Sequence, residues 1–236
     1  MIRRAMLAEG MKLKPSAILL PVISSILFVA FVALEWHLYF SKTPQGVYAA
    51  FNVIYMFLPF TMLLNTALFA SMFAGVEYEA QQWKQLVTLP VSRQLIYWSK
   101  TLWILSLLLG TALLIIAGMS ILWSFYTSDP LPFLFLVKQV LYSCLASIAA
   151  LAFQWWLSVQ FSNQAVPAAI GFLGAVTSLF LARDTHSWWI KIWPWTYPAL
   201  ATPFNPQHLL WIGCSLVFGL VLLTAGAFHF HKKQFY

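Results

Sequence analysis

Apolar residues run along this chain in five stretches that contain no Asp, Glu, Lys or Arg: Pro15–Leu34, Thr43–Val76, Thr101–Ser128, Gln139–Ala182 and Ile192–His231. A hydrocarbon core of about 30 Å takes roughly 20 helical residues, so each of the first three stretches predicts one spanning helix. The fourth is about 44 residues long and too much for one helix. It breaks at Phe161-Ser-Asn-Gln-Ala-Val-Pro167, where polar residues precede a proline, and so predicts a helical hairpin with a short turn. The fifth opens with Pro194, Pro198, Pro203 and Pro206, which rule out a regular helix, and only Leu209–Phe230 continues without a breaker. The pattern therefore predicts an all-α integral membrane protein, one domain over residues 1–236. Six transmembrane helices are expected at about 16–34, 53–75, 101–123, 139–160, 166–182 and 209–230. An interfacial helix at 1–15 precedes them, and a Pro/Trp-rich outer element occupies 183–208. Transmembrane β-strands would alternate apolar and polar positions, and these runs do not.

Composition agrees: 61% of the 236 residues are hydrophobic and 8% charged. With 13 Lys or Arg and 6 Asp or Glu the chain cannot clothe a soluble domain, which excludes a cytosolic enzyme, a secreted disulfide scaffold and a disordered tail. The net charge of +7 is no nucleic-acid footprint, because the basic residues lie between apolar runs and form no stripe. They mark topology instead. With the N-terminus inside, Arg3, Arg4, Lys12, Lys14, Lys84, Arg93, Lys100, Lys232 and Lys233 face the cytoplasm, against Lys42, Lys138, Arg183 and Lys191 outside. That excess puts both termini in the cytoplasm. The first apolar run begins after Lys14 and is too long for the core of a cleaved signal peptide, so it is expected to remain as a helix. Cys144 and Cys214 both fall inside helices, which points to neither a disulfide nor a zinc site.

Trp and Tyr concentrate on the outer side, as an interfacial belt requires. The cluster Trp188, Trp189, Trp193, Pro194, Trp195 and Tyr197 is denser than a belt needs, and with its prolines predicts an ordered external or re-entrant element.

The longest cytoplasmic loop joins helices 2 and 3. In it Trp83, Leu86, Val87 and Pro90 fall at i, i+3, i+4 and i+7, giving a short helix one apolar face. Pro90 ends that helix, and Ser92 can cap the next. Such a helix either rests on headgroups or docks a cytoplasmic partner. The residues resemble the coupling segment of ABC-2-type permeases, the membrane subunits of ATP-driven exporters. In that family an acidic residue closes helix 2, a coupling helix follows, and Leu-x-x-x-Pro-hydrophobic-Ser-Arg leads to an aromatic residue and a lysine. Here these are Glu77 or Glu79, Trp83-Lys84-Gln85-Leu86, Leu86-Val-Thr-Leu-Pro90-Val91-Ser92-Arg93, Tyr97 and Lys100. Ala8-Glu9-Gly-Met-Lys12-Leu-Lys14 is similar to the family's interfacial helix, with Gly10 where a leucine or similar helix former is common. Trp156-Leu-Ser-Val-Gln-Phe-Ser-Asn163 and Pro194-Trp-Thr-Tyr-Pro198 resemble the branch that exports lantibiotics and related peptides for self-protection.

No Gly-x-x-x-x-Gly-Lys-[Ser/Thr] occurs, so the chain does not cradle nucleotide by a P-loop. The resemblance implies that ATP and Mg sit on separate ABC ATPase subunits, that Glu77, Glu79, Trp83, Lys84, Leu86, Val87, Pro90 and Arg93 couple to them, and that Glu9 and Lys12 act in the interfacial helix. It also implies a second permease, identical or related, in a bacterial plasma membrane, and a pathway lined by helices 2 and 5. Candidate pathway residues are Asn65, Ser71, Gln154, Asn163 and Thr177. Gln139, Ser143, Ser147, Gln154 and Ser158 form a polar stripe on helix 4. Interhelical hydrogen bonding explains such a stripe, and a substrate-facing wall is the alternative. The substrate is expected to be an amphipathic peptide, with a lipid or drug as the alternative. From other classes, an intramembrane enzyme would need a His-x-x-x-His or Glu-x-x-His pair within a span or a Gly-x-Ser-x-Gly, and the chain carries none of these. A channel or receptor has no reason to carry a coupling segment.

Overall fold

The computed structural model describes residues 6, 9–10, 15–40, 46–79, 92–181 and 192–232. Among these there is no strand. The helices are α1 (Pro15–Glu35, continued by a π-helical turn Trp36–Phe40), α2 (Gly46–Glu79), α3 (Arg93–Tyr126), α4 (Phe133–Ala146), α5 (Ile148–Gln160) and α6 (Ala165–Leu181). A 3-10 turn Pro194–Thr196 follows, then α7 (Tyr197–Leu200) and α8 (His208–Lys232). Among the described residues five stretches are long and apolar enough to cross a membrane: Ala17–Leu38, Phe51–Tyr78, Arg93–Tyr126, Phe133–Gln160 and His208–Lys232. The apolar α6 is shorter, at 17 residues. The chain is a multi-pass membrane protein.

Two departures from the sequence-based bounds have physical causes. The helices expected at 53–75 and 101–123 are 34 residues each, about 51 Å at 1.5 Å per residue. Apolarity marks only the part of a helix that lies in hydrocarbon, whereas the helix itself runs until its backbone ladder is capped. At the start of α3 the cap is Ser92, whose hydroxyl accepts from Leu95 N–H at 3.3 Å, as the sequence predicts. The second departure is the helix expected at 139–160. It starts earlier, at Phe133, and breaks at Ser147 into α4 and α5. Its turn into α6 falls at Phe161–Gln164, inside the predicted breaker, with Ala165 N–H donating to Asn163 Oδ1 at 3.0 Å.

The bundle is built around α2, which packs against α1, α3, α4, α5 and α6. Its Leu58, Met62, Leu63, Ala70 and Ala74 are fully buried. In lipid the hydrophobic effect does not drive helices together, so close packing must do so. Small residues supply that closeness: Gly118 of α3 lets Val29 of α1 approach so near that a Cβ there would lie 2.7 Å from Val29 Cγ2.

The Pro/Trp-rich segment 192–206 packs into the bundle. Trp195, only 5% exposed, clusters with Leu63, Ala150 and Ala175, and Leu63 lies halfway along α2. Irregular backbone survives at that depth only when its polar groups are paired. Here Thr196 N–H donates to Trp193 O (3.0 Å), Ala201 N–H to Tyr197 O (2.9 Å) and Asn205 N–H to Thr202 O (2.9 Å), while the Asn205 side-chain amide donates to Leu200 O (3.0 Å).

Candidate functional site

At one end of the bundle three distant pieces of chain meet on one ammonium. Lys100, two turns into α3, donates from Nζ to Glu9 Oε2 at 2.5 Å and to Glu77 Oε1 at 2.7 Å. The Lys100, Glu9 and Glu77 side chains are 2%, 8% and 0% exposed. Ionised groups stay buried only when paired and hydrogen-bonded, so each partner holds the others in place. One turn further along α3, Trp103 Nε1 donates to Met6 O at 2.8 Å. Gly10 lies flat on that indole, where a Cβ would sit 2.8 Å from Trp103 Cζ2. The glycine that departs from the family pattern is thus what admits the contact.

Arg93 caps the opposite side of this end by donating from its guanidinium to His231 O at 3.2 Å. A cation there offsets the negative C-terminal pole of α8. Residues 9 and 231 therefore lie at the same end of the bundle as Lys100. Tyr78, beside Glu77, donates its hydroxyl to Val159 O at 2.7 Å and ties the end of α2 to α5. Lys12, Trp83, Lys84, Leu86, Val87 and Pro90 lie outside the described residues, and of Glu79 only the helical backbone is described.

The proposed pathway residues divide into two sets. Ser71 and Gln154 are buried in the seam between α2, α5 and α6, with Ser158 one turn beyond Gln154. Gln154 Nε2 donates to Pro167 O at 2.5 Å, and its Oε1 stands against Gly171 of α6. Asn65 is also buried but turns its Nδ2 to Thr61 O, 2.8 Å away in its own helix. Asn163 is exposed in the α5–α6 turn, and Thr177, half-buried, donates to Gly174 O of its own helix at 2.8 Å. All of the stripe Gln139, Ser143, Ser147, Gln154 and Ser158 faces protein.

In the Pro/Trp-rich element Trp193 is 40% exposed and Pro194, Trp195 and Tyr197 are buried. Trp193 and Trp195 rings lie 5.1 Å apart, and Tyr197 packs on Trp211 of α8 at 5.9 Å. Thr202 donates its hydroxyl to Gln139 Oε1 at 2.7 Å and so joins the element to α4.

Sequence reasoning named Glu9, Glu77 and Lys100 separately and missed their union. It also missed Gln164, which closes the α5–α6 turn by donating to Ser158 O at 3.0 Å. Among the described residues no cluster of His, Cys, Asp and Glu could hold a metal ion. A family model described as ABC-2 family transporter protein matches residues 5–178, which takes in Glu9, Glu77, Lys100 and the seam and stops before the Pro/Trp-rich element and α8. No protein of curated function matches the sequence.

Proposed function

The chain belongs to the ABC-2 family of transporter proteins, and on that premise we propose that it is half of the pathway of an ATP-driven exporter expelling lantibiotic-like or other amphipathic peptides. Family membership makes it the membrane-spanning permease subunit of an ABC transporter, with ATP hydrolysed by a separate ATPase subunit. A second permease, identical or related, completes the pathway. The Lys100 end faces the cytoplasm in this reading, where nine basic residues gather against four on the other side.

The observation that carries the mechanism is the Glu9–Lys100–Glu77 tie. Residues 80–91 connect the two helices that this tie clamps together. A push on the coupling segment by closing ATPases then moves the ends of α2 and α3 and the N-terminal segment as one body. Through Tyr78 the displacement passes to α5, which borders the seam with α6. Support for a peptide substrate comes from the resemblance at Trp156–Asn163 and Pro194–Pro198, together with the aromatic element whose exposed Trp193 can meet an amphipathic chain in the membrane.

Replacing Leu86 by Asp tests the coupling. The permease is expected to insert normally but to lose its ATPase on co-purification, and undiminished co-purification sinks the mechanism. The substrate is tested separately, by expressing the permease with its ATPase in a lantibiotic-sensitive host. Tolerance is expected to rise, and unchanged sensitivity removes the peptide assignment while leaving the permease intact.

A further inference from the structure

The fourth span breaks at Ser147 although neither proline nor glycine stands there. Ser147 keeps a helical φ of −79°, but its ψ is −9°, opened from the roughly −42° of a regular helix. The cause lies in α8. The Ser215 hydroxyl donates to Ala146 O at 2.7 Å and accepts from Ala149 N–H at 3.1 Å. In an unbroken helix those two groups would pair with Ala150 N–H and Leu145 O. One turn on, Gly219 brings the α8 backbone against the first residue of α5: a Cβ there would lie 2.8 Å from Ile148 Cγ2 and 3.2 Å from Ile148 O. Ser147 is midway along Phe133–Gln160, at hydrocarbon depth, where water does not stand in for a lost partner. A single hydroxyl holds the break.

Beyond the break, α5 presents Gln154 and Ser158 to the seam. Gly171 of α6 meets Ala67 and Gln154 there, and Gly75 meets Gln164 Cγ, with 3.4 Å to a Cβ placed on it. Ser71 lies one turn from both Ala67 and Gly75 and so faces the same seam. Within it Ser71 Oγ, Gln154 Oε1, Ser158 Oγ and Gln164 Oε1 are buried with no hydrogen-bond partner among the described residues. Buried polar atoms are costly when unpaired, and these four sit where three helices could part.

We propose that Ser147 is a hinge latched by Ser215, and that releasing the latch swings α5 and admits water to the seam of Ser71, Gln154, Ser158 and Gln164. Without the latch, Ala146 O and Ala149 N–H recover partners only by rejoining the helix ladder. That straightens the span and moves α5 against α2 and α6. Water then pairs the seam oxygens, so the opened arrangement has its own favourable contacts. That the swing belongs to a transport cycle rests on the permease reading above; the hinge itself does not.

The test uses the full chain in lipid nanodiscs, with Cys144→Ala and Cys214→Ala and one added cysteine at Ser71, Ser158 or, as a dry control, Ala112 of α3. The rate of labelling by a small water-soluble methanethiosulfonate is measured with and without Ser215→Ala. Labelling of Ser71→Cys and Ser158→Cys is expected to rise by about tenfold or more on losing the hydroxyl, with Ala112→Cys unchanged. An unchanged rate in the seam overturns the proposal, and so does an equal rise at Ala112→Cys, which marks general loosening. Should Ser215→Ala fail to fold, Gly219→Ala forces α8 off Ile148, withdraws the same hydroxyl and is expected to give the same rise. Neither ATPase nor peptide is present, so failure of export elsewhere leaves this result standing, and its own failure leaves the permease assignment standing.

Discussion

The Lys100 ammonium lies 2.7 Å from a Glu77 carboxylate oxygen, and these side chains expose 2% and 0% of their surface. A pair so buried contributes little as a pair, but removing one partner strands the other. Lys100→Met is therefore expected to destabilise the protein by about 3–5 kcal/mol, read as loss of thermal stability in detergent. Glu77→Gln alone is also destabilising. Combined with Lys100→Met it is expected to cost less than the two single changes summed, because it removes a stranded charge. Strict additivity would show that the two residues do not hold each other.

At the Pro/Trp-rich element, Gly174 of α6 and the Trp195 indole are in contact so close that a Cβ on Gly174 would overlap the ring. Gly174→Ala is expected to cost about 1–3 kcal/mol through overpacking and to shift tryptophan emission as the indole is displaced. Adding Trp195→Phe, which shortens the ring system, is expected to recover part of the loss. No recovery would mean that α6 itself, not the aromatic contact, resists the methyl group.

Which features the sequence disclosed follows from how local their causes are. The turn at Phe161–Gln164 is written in consecutive polar residues before Pro167, and the Ser92 cap in one residue ahead of a helix. The polar stripe of the fourth span was visible because α-helical periodicity alone puts its members on one face. The Lys100 site was not, since Glu9 and Glu77 come to it from 91 and 23 residues away, and no periodicity relates them. The break at Ser147 was hidden for the same reason: its cause, Ser215, looks on its own like any serine in an apolar helix. Lengths of α2 and α3 were underestimated because bilayer thickness bounds the hydrocarbon crossing and says nothing of where a helix ends.

Ser92 gives a milder effect that isolates helix capping. Its hydroxyl serves only the exposed first turn of α3 through Leu95 N–H, so Ser92→Ala is expected to cost about 1 kcal/mol and Ser92→Asp to restore it. Hydrogen exchange over residues 93–97 reports the fraying directly. Exchange that is unaffected by Ser92→Ala would mean that the Arg93 contact to His231 already fixes this turn.

Thr202 and Gln139 join the Pro/Trp-rich element to α4 through one buried hydrogen bond of 2.7 Å. The Gln139 Nε2 has no partner among the described residues, so the amide depends on Thr202 for its remaining satisfaction. Thr202→Val keeps the side-chain shape, removes the hydroxyl and leaves both ends of a buried amide unpaired. That is expected to cost about 1–3 kcal/mol, with the element 192–206 becoming more susceptible to limited proteolysis. Thr202→Val with Gln139→Leu removes both polar partners, and replacing a buried hydrogen-bonded pair by apolar groups of similar shape is close to neutral. Stability is therefore expected to return towards that of the unmodified protein. If the double variant remains as unstable as Thr202→Val, then Gln139 is held by something other than this bond, and the anchoring of the element 192–206 must lie instead in the Trp195 contact with α6.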